Sequence, residues 1–500
     1  MDAWKAGDYS TAFDLLHRYF DYTMQNRDRP FYQYALMGLA VLQDDFGCYK
    51  DAVTTMLETV STARENRDMV CLNYALSWLF HFGRAHPKLV RHLESNSMLG
   101  TGKESLAFLR VKTKETEMWP LWSSVLLSEA KLGLNNGDSI ATSLEFMVRS
   151  SQIVVERNMK GSYGAQLDMA SSLWGRLGVM HLSAMSCEMF LRCHTQDSSV
   201  VDELCLTGRL AFMLADKGKY DEALEKLEGL DENSLRSWKS GQHWHTYRGI
   251  IKLKRDLRHN HLDGAEQLLN QLLQSNHDDA HPDLSVSIDI LHLDCLTRRG
   301  DLQAAFAKVD SVLSQLRDEN RDIALRVQLL LWKVFLLDQA GRPQRGFSIA
   351  MKAAGMAWRA RLIPHLWQSI GSIANILVSL GEFEAASQLL VAIIPRVLEC
   401  ELPETVGRLY SYLADANMGL AGKMEPKSAK RIEYMTAALA AVNKAFDHYS
   451  SIEDINLQCE MMAKKAMIMK LSGDMVLAAD YAAAYVALRK SAESLSIGGG

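Results

Sequence analysis

Two histidine clusters in this sequence have spacings that are found in nuclease and metal sites. His259-Asn-His261 resembles part of an HNH nuclease motif. That motif needs a ββα metal fold, whereas these residues precede an apolar helical pattern, which favours a polar turn. His277 and His281 are four residues apart, as two zinc ligands on one helix can be. Neither an HExxH pattern nor a cysteine partner accompanies them, so a solvated loop is the better interpretation.

Three further motifs combine reactive or ligand-type residues, and none predicts a site. His243-Trp-His245 could be a metal pair but has no further ligand nearby. The segment 100–105 (GTGKES) resembles a phosphate loop, but it lacks the first glycine and carries Glu104 where serine or threonine is required. Cys187 and Cys193-His194 could form a Cys/His fragment, but they lie in an apolar helical pattern that favours buried thiols. The sequence therefore predicts no catalytic residue, no cofactor, no metal and no small-molecule substrate.

The composition narrows the class of protein. The chain has 500 residues, a hydrophobic fraction of 48% and a formal net charge of −5. A net negative chain has no electrostatic footprint for nucleic acid, and no apolar run reaches the length of about 20 residues that spans a bilayer. The eight cysteines show no CxxC spacing and are expected to be free buried thiols in a reducing compartment, the cytoplasm or nucleus.

An internal repeat in the sequence indicates the secondary structure that positions the histidines and cysteines described above. One pattern recurs: glycine, any residue, an aromatic or apolar residue, two more residues, then alanine. The glycine and alanine of the clear copies are Gly7/Ala12, Gly47/Ala52, Gly218/Ala223, Gly300/Ala305, Gly381/Ala386 and Gly473/Ala478. Weaker copies start at Gly137, Gly178, Asn260 and Gly341, and the steps from 178 to 381 are about 40 residues.

A helical hairpin explains each position of this repeat. Glycine ends the first helix because the residue after a helix C-terminus often needs a left-handed backbone. The aromatic residue opens the second helix and covers the turn. A second small residue precedes the turn by seven positions, as at Ala40, Ala211 and Ala374. Both small residues let the two helix axes approach to the usual 8–10 Å.

The pattern is typical of the tetratricopeptide repeat (TPR), here lengthened from its usual 34 residues. HEAT repeats have a similar period but require neither this glycine nor this alanine. The sequence therefore predicts an all-α, TPR-like, right-handed superhelical solenoid of about twelve units. Gly7 is preceded by six residues where a whole first helix is expected, so we expect a native N-terminal portion before this sequence.

The repeats divide the chain into segments of different regularity. The predicted segments are 1–93 with a truncated first unit, 94–119 with an inserted loop (94–105) and a helix, 120–421 with regular units, 422–432 as a basic loop, 433–493 with the last helical units, and 494–500 as a frayed tail. In the basic loop, Ser428 among lysines is a candidate phosphoacceptor.

The N-terminal units are more specific than a general TPR. The distinctive segments are Arg18-Tyr-Phe-Asp-Tyr22, Gln25-Asn-Arg27, Phe31-Tyr-Gln-Tyr-Ala35, Phe46-Gly-Cys-Tyr49, Ser61-Thr-Ala-Arg-Glu-Asn66 and His81-Phe-Gly-Arg-Ala-His-Pro87. Together they closely resemble the characteristic segment of the subunit 5 family of the anaphase-promoting complex, or cyclosome. Beyond residue 87 the resemblance is one of repeat pattern, length and order.

This resemblance implies a function that periodicity alone does not. The family belongs to a multisubunit ubiquitin ligase that marks mitotic regulators for destruction. Its members are non-catalytic structural subunits of the platform, beside subunits 1 and 4, and they contact subunits 8 and 15. We therefore expect a scaffold in the nucleus and cytoplasm, with no enzymatic activity of its own. A TPR adaptor that binds peptides in its groove, within another large assembly, remains the alternative.

The residues expected to bind other subunits come from the distinctive segments, because buried aromatic and arginine anchors dominate protein interfaces. They are Tyr19, Tyr22, Arg27, Arg29, Tyr32, Trp78, His81 and Arg84. Many of the aromatic residues in such a segment belong to the core instead, and for Phe20 and Phe82 the core is the preferred interpretation.

Overall fold

Repeated helical hairpins make up the whole of the described chain. The computed structural model describes residues 8–25, 29–86, 89, 102–231, 235, 238–275, 282–318, 322–426 and 428–497. Within these ranges the regular structure is entirely helical, as predicted: one second helix, α1, is followed by eleven hairpins. The predicted all-α, TPR-like class of fold is confirmed.

Each hairpin consists of a first and a second helix of 9 to 23 residues. In chain order the helices are α1 (Tyr9–Gln25); α2 (Arg29–Asp45) and α3 (Tyr49–Glu65); α4 (Met69–Ala85) and α5 (Gly102–Glu115); α6 (Trp119–Asn136) and α7 (Ile140–Glu156); α8 (Tyr163–Arg176) and α9 (Met180–Cys193); α10 (Val200–Asp216) and α11 (Tyr220–Glu228); α12 (Trp238–Arg258) and α13 (Leu262–Ser275); α14 (Pro282–Arg299) and α15 (Leu302–Asp318); α16 (Ile323–Gln339) and α17 (Phe347–Arg359); α18 (Ile363–Ser379) and α19 (Phe383–Leu398); α20 (Pro403–Gly422) and α21 (Ala429–Ser451); α22 (Ile455–Ser472) and α23 (Met475–Ile497). Short 3₁₀ turns precede α8, α10 and α17.

Three of the predicted segments differ from the structure. The predicted loop 422–432 is shorter, because α20 ends at Gly422 and α21 already begins at Ala429. α5 begins at Gly102, so the last four residues of the predicted 94–105 loop are helical, and Glu104 lies in the first turn, where an acidic residue suits the helix dipole. At the other end, α23 continues to Ile497 into the predicted frayed tail, because the alanine-rich sequence favours helix.

In eight of the eleven hairpins the described turn contains a glycine with a positive φ, and Asn260 takes that place between α12 and α13. At Gly218, φ is +84°, and the N–H of Lys219 donates to the carbonyl of Leu214 at 3.0 Å. This is a Schellman motif, in which a left-handed residue satisfies the last carbonyls of a helix. The hairpin turns therefore reverse the chain within a few residues.

Six of the loops between successive hairpins contain a left-handed residue as well, but here it is not glycine. Positive φ values occur at Arg67, Glu117, Asn158, Arg361, Glu401 and Glu453. We call these segments linker loops. Each ends a second helix with an unfavourable φ for an L-residue, and the next first helix starts within a few residues.

Buried apolar clusters join neighbouring hairpins. In the last third of the chain, Ala374, Leu390, Val406, Ala441 and Tyr449 belong to one buried cluster that spans three hairpins. Stability of such a stack is the sum of terms within hairpins and between neighbours. None of the described helices combines the length and apolar character needed to cross a membrane.

The stack also winds back onto itself. Hydrogen bonds join Lys217 to Glu401, 184 residues apart, and Lys239 to Asp45, 194 residues apart. Because one unit has about 40 residues, one superhelical turn takes between four and five units. Residues that are far apart in sequence therefore meet where one superhelical turn rests on the previous one.

Candidate functional site

The inner faces of the first helices enclose a cavity along the superhelix axis. Its volume is about 570 Å³, and its walls come from α10, α12, α14, α16, α18, α20 and α22. We call it the central cavity. Apolar side chains such as Leu331, Phe335 and Tyr412 share the wall with charged ones. The charged residues of the wall are Asp216, Lys254, Arg258, Asp294, Arg298, Asp338, Glu404, Arg408 and Glu460.

The basic residues of the central cavity are paired with acidic residues of the same chain. Glu404 accepts from Arg258 at 3.3 Å and from Arg408 at 3.1 Å. Arg298 contacts Asp454 at 2.7 Å and Asp294 at 3.0 Å. A groove that grips an acidic peptide needs cations that are available to the ligand, whereas these are already neutralised within the chain.

The same arrangement holds the Glu404 carboxylate in its charged form. Burial alone would raise the pKa of Glu404. The positive charges of Arg408, Arg258 and Lys254 lower it by a larger amount, so the pKa is about 2. A general acid or base works best when its pKa lies near the operating pH. Glu404 therefore serves as a partner for arginines and is poorly suited to proton transfer.

Several contacts join the two superhelical turns along one line, which we call the seam. The seam consists of the hairpin turns at Gly137, Gly178, Gly218 and Asn260 and the linker loops 360–364, 400–404 and 451–456 that lie on them. Arg176 donates to the carbonyl of Ala360 at 3.1 Å. Tyr220 donates to the carbonyl of Ile452 at 3.3 Å. His259 Nε2 lies 2.8 Å from Glu453 Oε2.

The repeat residues predicted from the sequence occupy the hairpin turns. Positive φ values between +77° and +93° occur at Gly47, Gly218, Gly300, Gly381 and Gly473, and Gly7 lies outside the described residues. Ala52, Ala223, Ala305 and Ala386 have no exposed surface and Ala12 keeps 9%, whereas Ala478 in the last helix is only partly buried. The buried alanines lie where the two helices of a hairpin touch.

Two of the predicted interface residues are exposed on one helix face. Tyr19 is 42% and Tyr22 is 63% exposed on α1, with Leu15 at 51%. Their spacing of four and three residues places them on the same side of the helix. We call Leu15, Tyr19 and Tyr22 the α1 face. Arg27 lies outside the described residues, and of Arg29 the structure describes only the backbone.

The other predicted interface residues lie elsewhere. Tyr32 on α2 is partly buried, and its hydroxyl donates to Glu58 at 2.9 Å. Trp78 stacks on the buried Phe82 with ring centroids 4.7 Å apart. His81 and Arg84 are on α4, where His81 Nε2 lies 3.5 Å from Ser128 Oγ. The six described side chains among these residues therefore do not form one patch, and Trp78 is part of an aromatic core cluster.

The described histidines and cysteines of the motifs that resembled reactive sites lie in two hairpins, α8–α9 and α12–α13. Within the described residues no group of three or more His, Cys, Asp or Glu side chains is arranged to hold a metal, and His277 and His281 lie outside them. Cys187 is fully buried, but Cys193 and Cys48 are exposed, which corrects the expectation of uniformly buried thiols. Cys48 is exposed because it lies in a hairpin turn, and Cys193 because it is the last residue of α9.

Sequence reasoning missed the seam residues. His259 looked like a polar turn residue, and its partner Glu453 is 194 positions away. Nothing in the spacing of either residue indicates the contact. The one available signal is that charged residues occur in the hairpin turns and linker loops of both superhelical turns.

A histidine near the seam predicts a pH dependence of stability. Burial, together with the charge of Arg176, lowers the pKa of His365 to about 4, and among the described residues its buried Nδ1 has no hydrogen-bond partner. In the unfolded chain a histidine has a pKa of about 6.5. The unfolded state therefore binds more protons between pH 6.5 and 4, and the free energy of unfolding falls across this window as the pH is lowered.

The expected loss from His365 is about 3 kcal/mol between pH 7 and pH 4. Urea denaturation of the unmodified chain and of His365→Gln at several pH values measures it. We expect the glutamine variant to lose about that much of the pH dependence. Parallel curves for the two proteins would show that His365 is not protonated on unfolding.

Comparisons with known proteins bear on the whole chain. The family model described as "Anaphase-promoting complex subunit 5" matches residues 1–86. The curated protein of that name from Schizosaccharomyces pombe is 25% identical over 445 residues, which is 88% of this chain and 58% of the relative. The Homo sapiens protein is 21% identical over 440 residues, covering 84% of this chain and 54% of the relative. The predicted resemblance to the subunit 5 family is confirmed. This chain spans little more than half of the length of these subunit 5 relatives.

Two solved structures are among those that this chain matches at low identity. The APC/C hetero-tetramer Cut9-Hcn1 is 11% identical with a TM-score of 0.30, covering 97% of this chain and 89% of that chain. A signal-transduction ATPase with a tetratricopeptide repeat sensor from Pyrococcus horikoshii is 14% identical with a TM-score of 0.37, covering 70% and 54%.

Proposed function

We propose that this chain is a non-catalytic structural subunit of the anaphase-promoting complex, a multisubunit ubiquitin ligase that controls mitotic progression. The observation that carries the proposal is the similarity to subunit 5 proteins over 84–88% of the chain. The geometry supports it, because the described chain offers long helical surfaces and a cavity whose charges are neutralised internally. The chain holds platform subunits together through these surfaces.

The partners proposed from the family resemblance are subunits 1, 4, 8 and 15 of the complex, in the nucleus and cytoplasm. The α1 face is the surface we assign to one of these contacts. It lies within the region matched by the subunit 5 family model. Large exposed aromatic side chains are typical anchors of protein interfaces, where truncation to alanine often costs 2 kcal/mol or more.

A binding experiment with recombinant platform subunits tests the proposal. We expect the chain to associate with subunits 1 and 4, and the Tyr19→Ala/Tyr22→Ala variant to bind at least about ten-fold more weakly. The matched control is Trp358→Ala, an aromatic residue that is 55% exposed on α17 and outside the family-matched region. Surface plasmon resonance gives both affinities.

The two possible failures have different meanings. If the folded chain does not associate with any platform subunit, the proposed function is wrong. If it associates and the tyrosine variant binds as well as the Trp358 control, the function stands and the α1 face is not the contact.

The alternative, a peptide-groove adaptor, makes a different prediction. Such an adaptor would bind an acidic peptide with a free C-terminal carboxylate in the central cavity. The cavity pairs Arg258–Glu404 and Arg298–Asp454 argue against it, because a peptide would have to displace both carboxylates. Micromolar binding of such a peptide by fluorescence anisotropy would favour the adaptor.

A further inference from the structure

The seam is a set of contacts that a stack of hairpins does not need for its own stability. In a solenoid each unit is stabilised by itself and by its neighbours. The seam instead joins hairpins that are four or five units apart, such as those that carry Lys217 and Glu401. Releasing the seam would therefore leave every hairpin and every neighbouring interface intact.

The glycines show where the seam is tight. A Cβ atom at Gly218 would lie 2.2 Å from the carbonyl oxygen of Ser451, and one at Gly178 would lie 2.9 Å from Cys400 Sγ. The same atom at Gly341 or Gly381, in the later superhelical turn, would meet no described heavy atom within 4 Å. The earlier hairpin turns are thus covered by the linker loops above them, and the later ones are open.

Polar and charged pairs supply much of the seam. Lys217 contacts Glu401 at 2.6 Å, and both side chains are more than 40% exposed. His259 and Glu453 meet at 2.8 Å, and Asn456 donates to Asn260 at 2.8 Å. Exposed pairs of this kind are weak individually and are screened by salt.

The seam is also part of the wall of the central cavity. Arg258 donates to Tyr220 in the seam at 2.9 Å and to Glu404 in the cavity at 3.3 Å. Arg298 reaches from the cavity to Asp454 beside the linker loop residue Glu453. When the seam separates, the cavity loses one side and becomes an open groove.

We propose that the seam is an electrostatic latch that switches this protein between a closed superhelix around the central cavity and an open one. Closed, the charge pairs hold the later superhelical turn on the earlier one. Open, the inner faces of the first helices become accessible to a partner segment. The latch does not depend on which complex the chain belongs to.

Two native cysteines report the state of the latch. Cys400 is buried at the seam with 5% of its surface exposed, and the turn at Gly178 covers its sulfur. Cys187 is fully buried in the interior of a hairpin stack. Of these two cysteines, opening of the seam exposes only Cys400, whereas unfolding of the chain exposes both.

Maleimide labelling read out by peptide mass spectrometry tests the proposal on the full chain. We expect the labelling rate of Cys400 to rise about three- to ten-fold between 0.05 M and 1 M NaCl, with the rate of Cys187 unchanged. Lys217→Glu raises the rate of Cys400 to a similar extent at low salt. The charge swap Lys217→Glu with Glu401→Lys restores the slow rate, because the pair is re-formed with opposite polarity.

The control variant is Lys219→Glu, which reverses a charge two residues from Lys217. Among the described residues, Lys219 pairs only with Glu222 in the same hairpin. We expect it to leave the labelling of Cys400 unchanged. A rate for Cys400 that is insensitive to salt and to Lys217→Glu would overturn the latch. The proposal would also be overturned if Cys400 were labelled as fast in the charge-swap variant as in Lys217→Glu alone.

Discussion

Gly218→Ala is expected to lower the free energy of unfolding by about 3 kcal/mol, and Gly300→Ala by about 1 kcal/mol. The two glycines have the same backbone conformation, with φ of +84° and +85°, so the penalty for an L-residue is the same. They differ in surroundings: a Cβ at Gly218 would clash with the backbone of Ser451 and Ile452, whereas at Gly300 no described atom lies within 4 Å.

The difference between these variants has a physical meaning. The chain can relieve the clash at Gly218 by opening the seam, so the excess cost cannot be larger than the free energy that the seam contributes. The difference between the two losses, measured by urea denaturation, is therefore a lower limit for the free energy that the seam contributes. Equal losses would show that the linker loop 451–456 does not lie on Gly218.

Arg298→Met is the second change with a large expected effect, a loss of about 3 kcal/mol. Asp454 is only 1% exposed and depends on Arg298 at 2.7 Å for its charge partner. Removal of the arginine leaves a buried carboxylate with one backbone hydrogen bond, from Leu457 at 3.2 Å. Breaking a buried pair costs more than the pair itself contributes, because the remaining charge is unpaired.

Chemical denaturation also checks this expectation against a matched pair. Arg192 and Glu188 form a salt bridge on the surface of α9, with the arginine side chain 78% exposed. Arg192→Met should cost less than about 0.5 kcal/mol. If Arg298→Met costs no more than that, the contact between Arg298 and Asp454 contributes nothing to the closed superhelix.

The hairpins could be predicted from the sequence because their determinants are local. The glycine at the end of a first helix and the alanine five residues later, as in Gly381 and Ala386, follow from backbone conformation and helix contact alone. The left-handed residues of the linker loops, such as Glu401 and Glu453, could not be found in this way. Their side chains do not favour a positive φ, so the surrounding structure must impose it.

The winding of the stack could not be predicted, because it depends on small rotations that add up over several units. Lys217 and Glu401 are 184 residues apart, and a few degrees of difference per unit would separate them. Glu404 illustrates the consequence. In the sequence it is an acidic residue in the first turn of a helix, and in the structure it joins two arginines of different hairpins.

The candidate interface was predicted only in part. Residue type indicated that aromatic residues of the N-terminal units contribute to binding. It could not show which of them are buried in the core and which are exposed on the surface. Trp78 packs on Phe82, whereas Tyr22 is 63% exposed. The difference follows from which side of each helix faces the neighbouring hairpin.

The most direct test of the account is a density map of this chain assembled with the platform subunits by cryo-electron microscopy. The account predicts a closed superhelix with Ile452 seated on Gly218, no ligand gripped by converging cavity side chains, and the α1 face covered by another subunit. A superhelix bound to no other subunit, or a cavity that holds a substrate or cofactor, would contradict it.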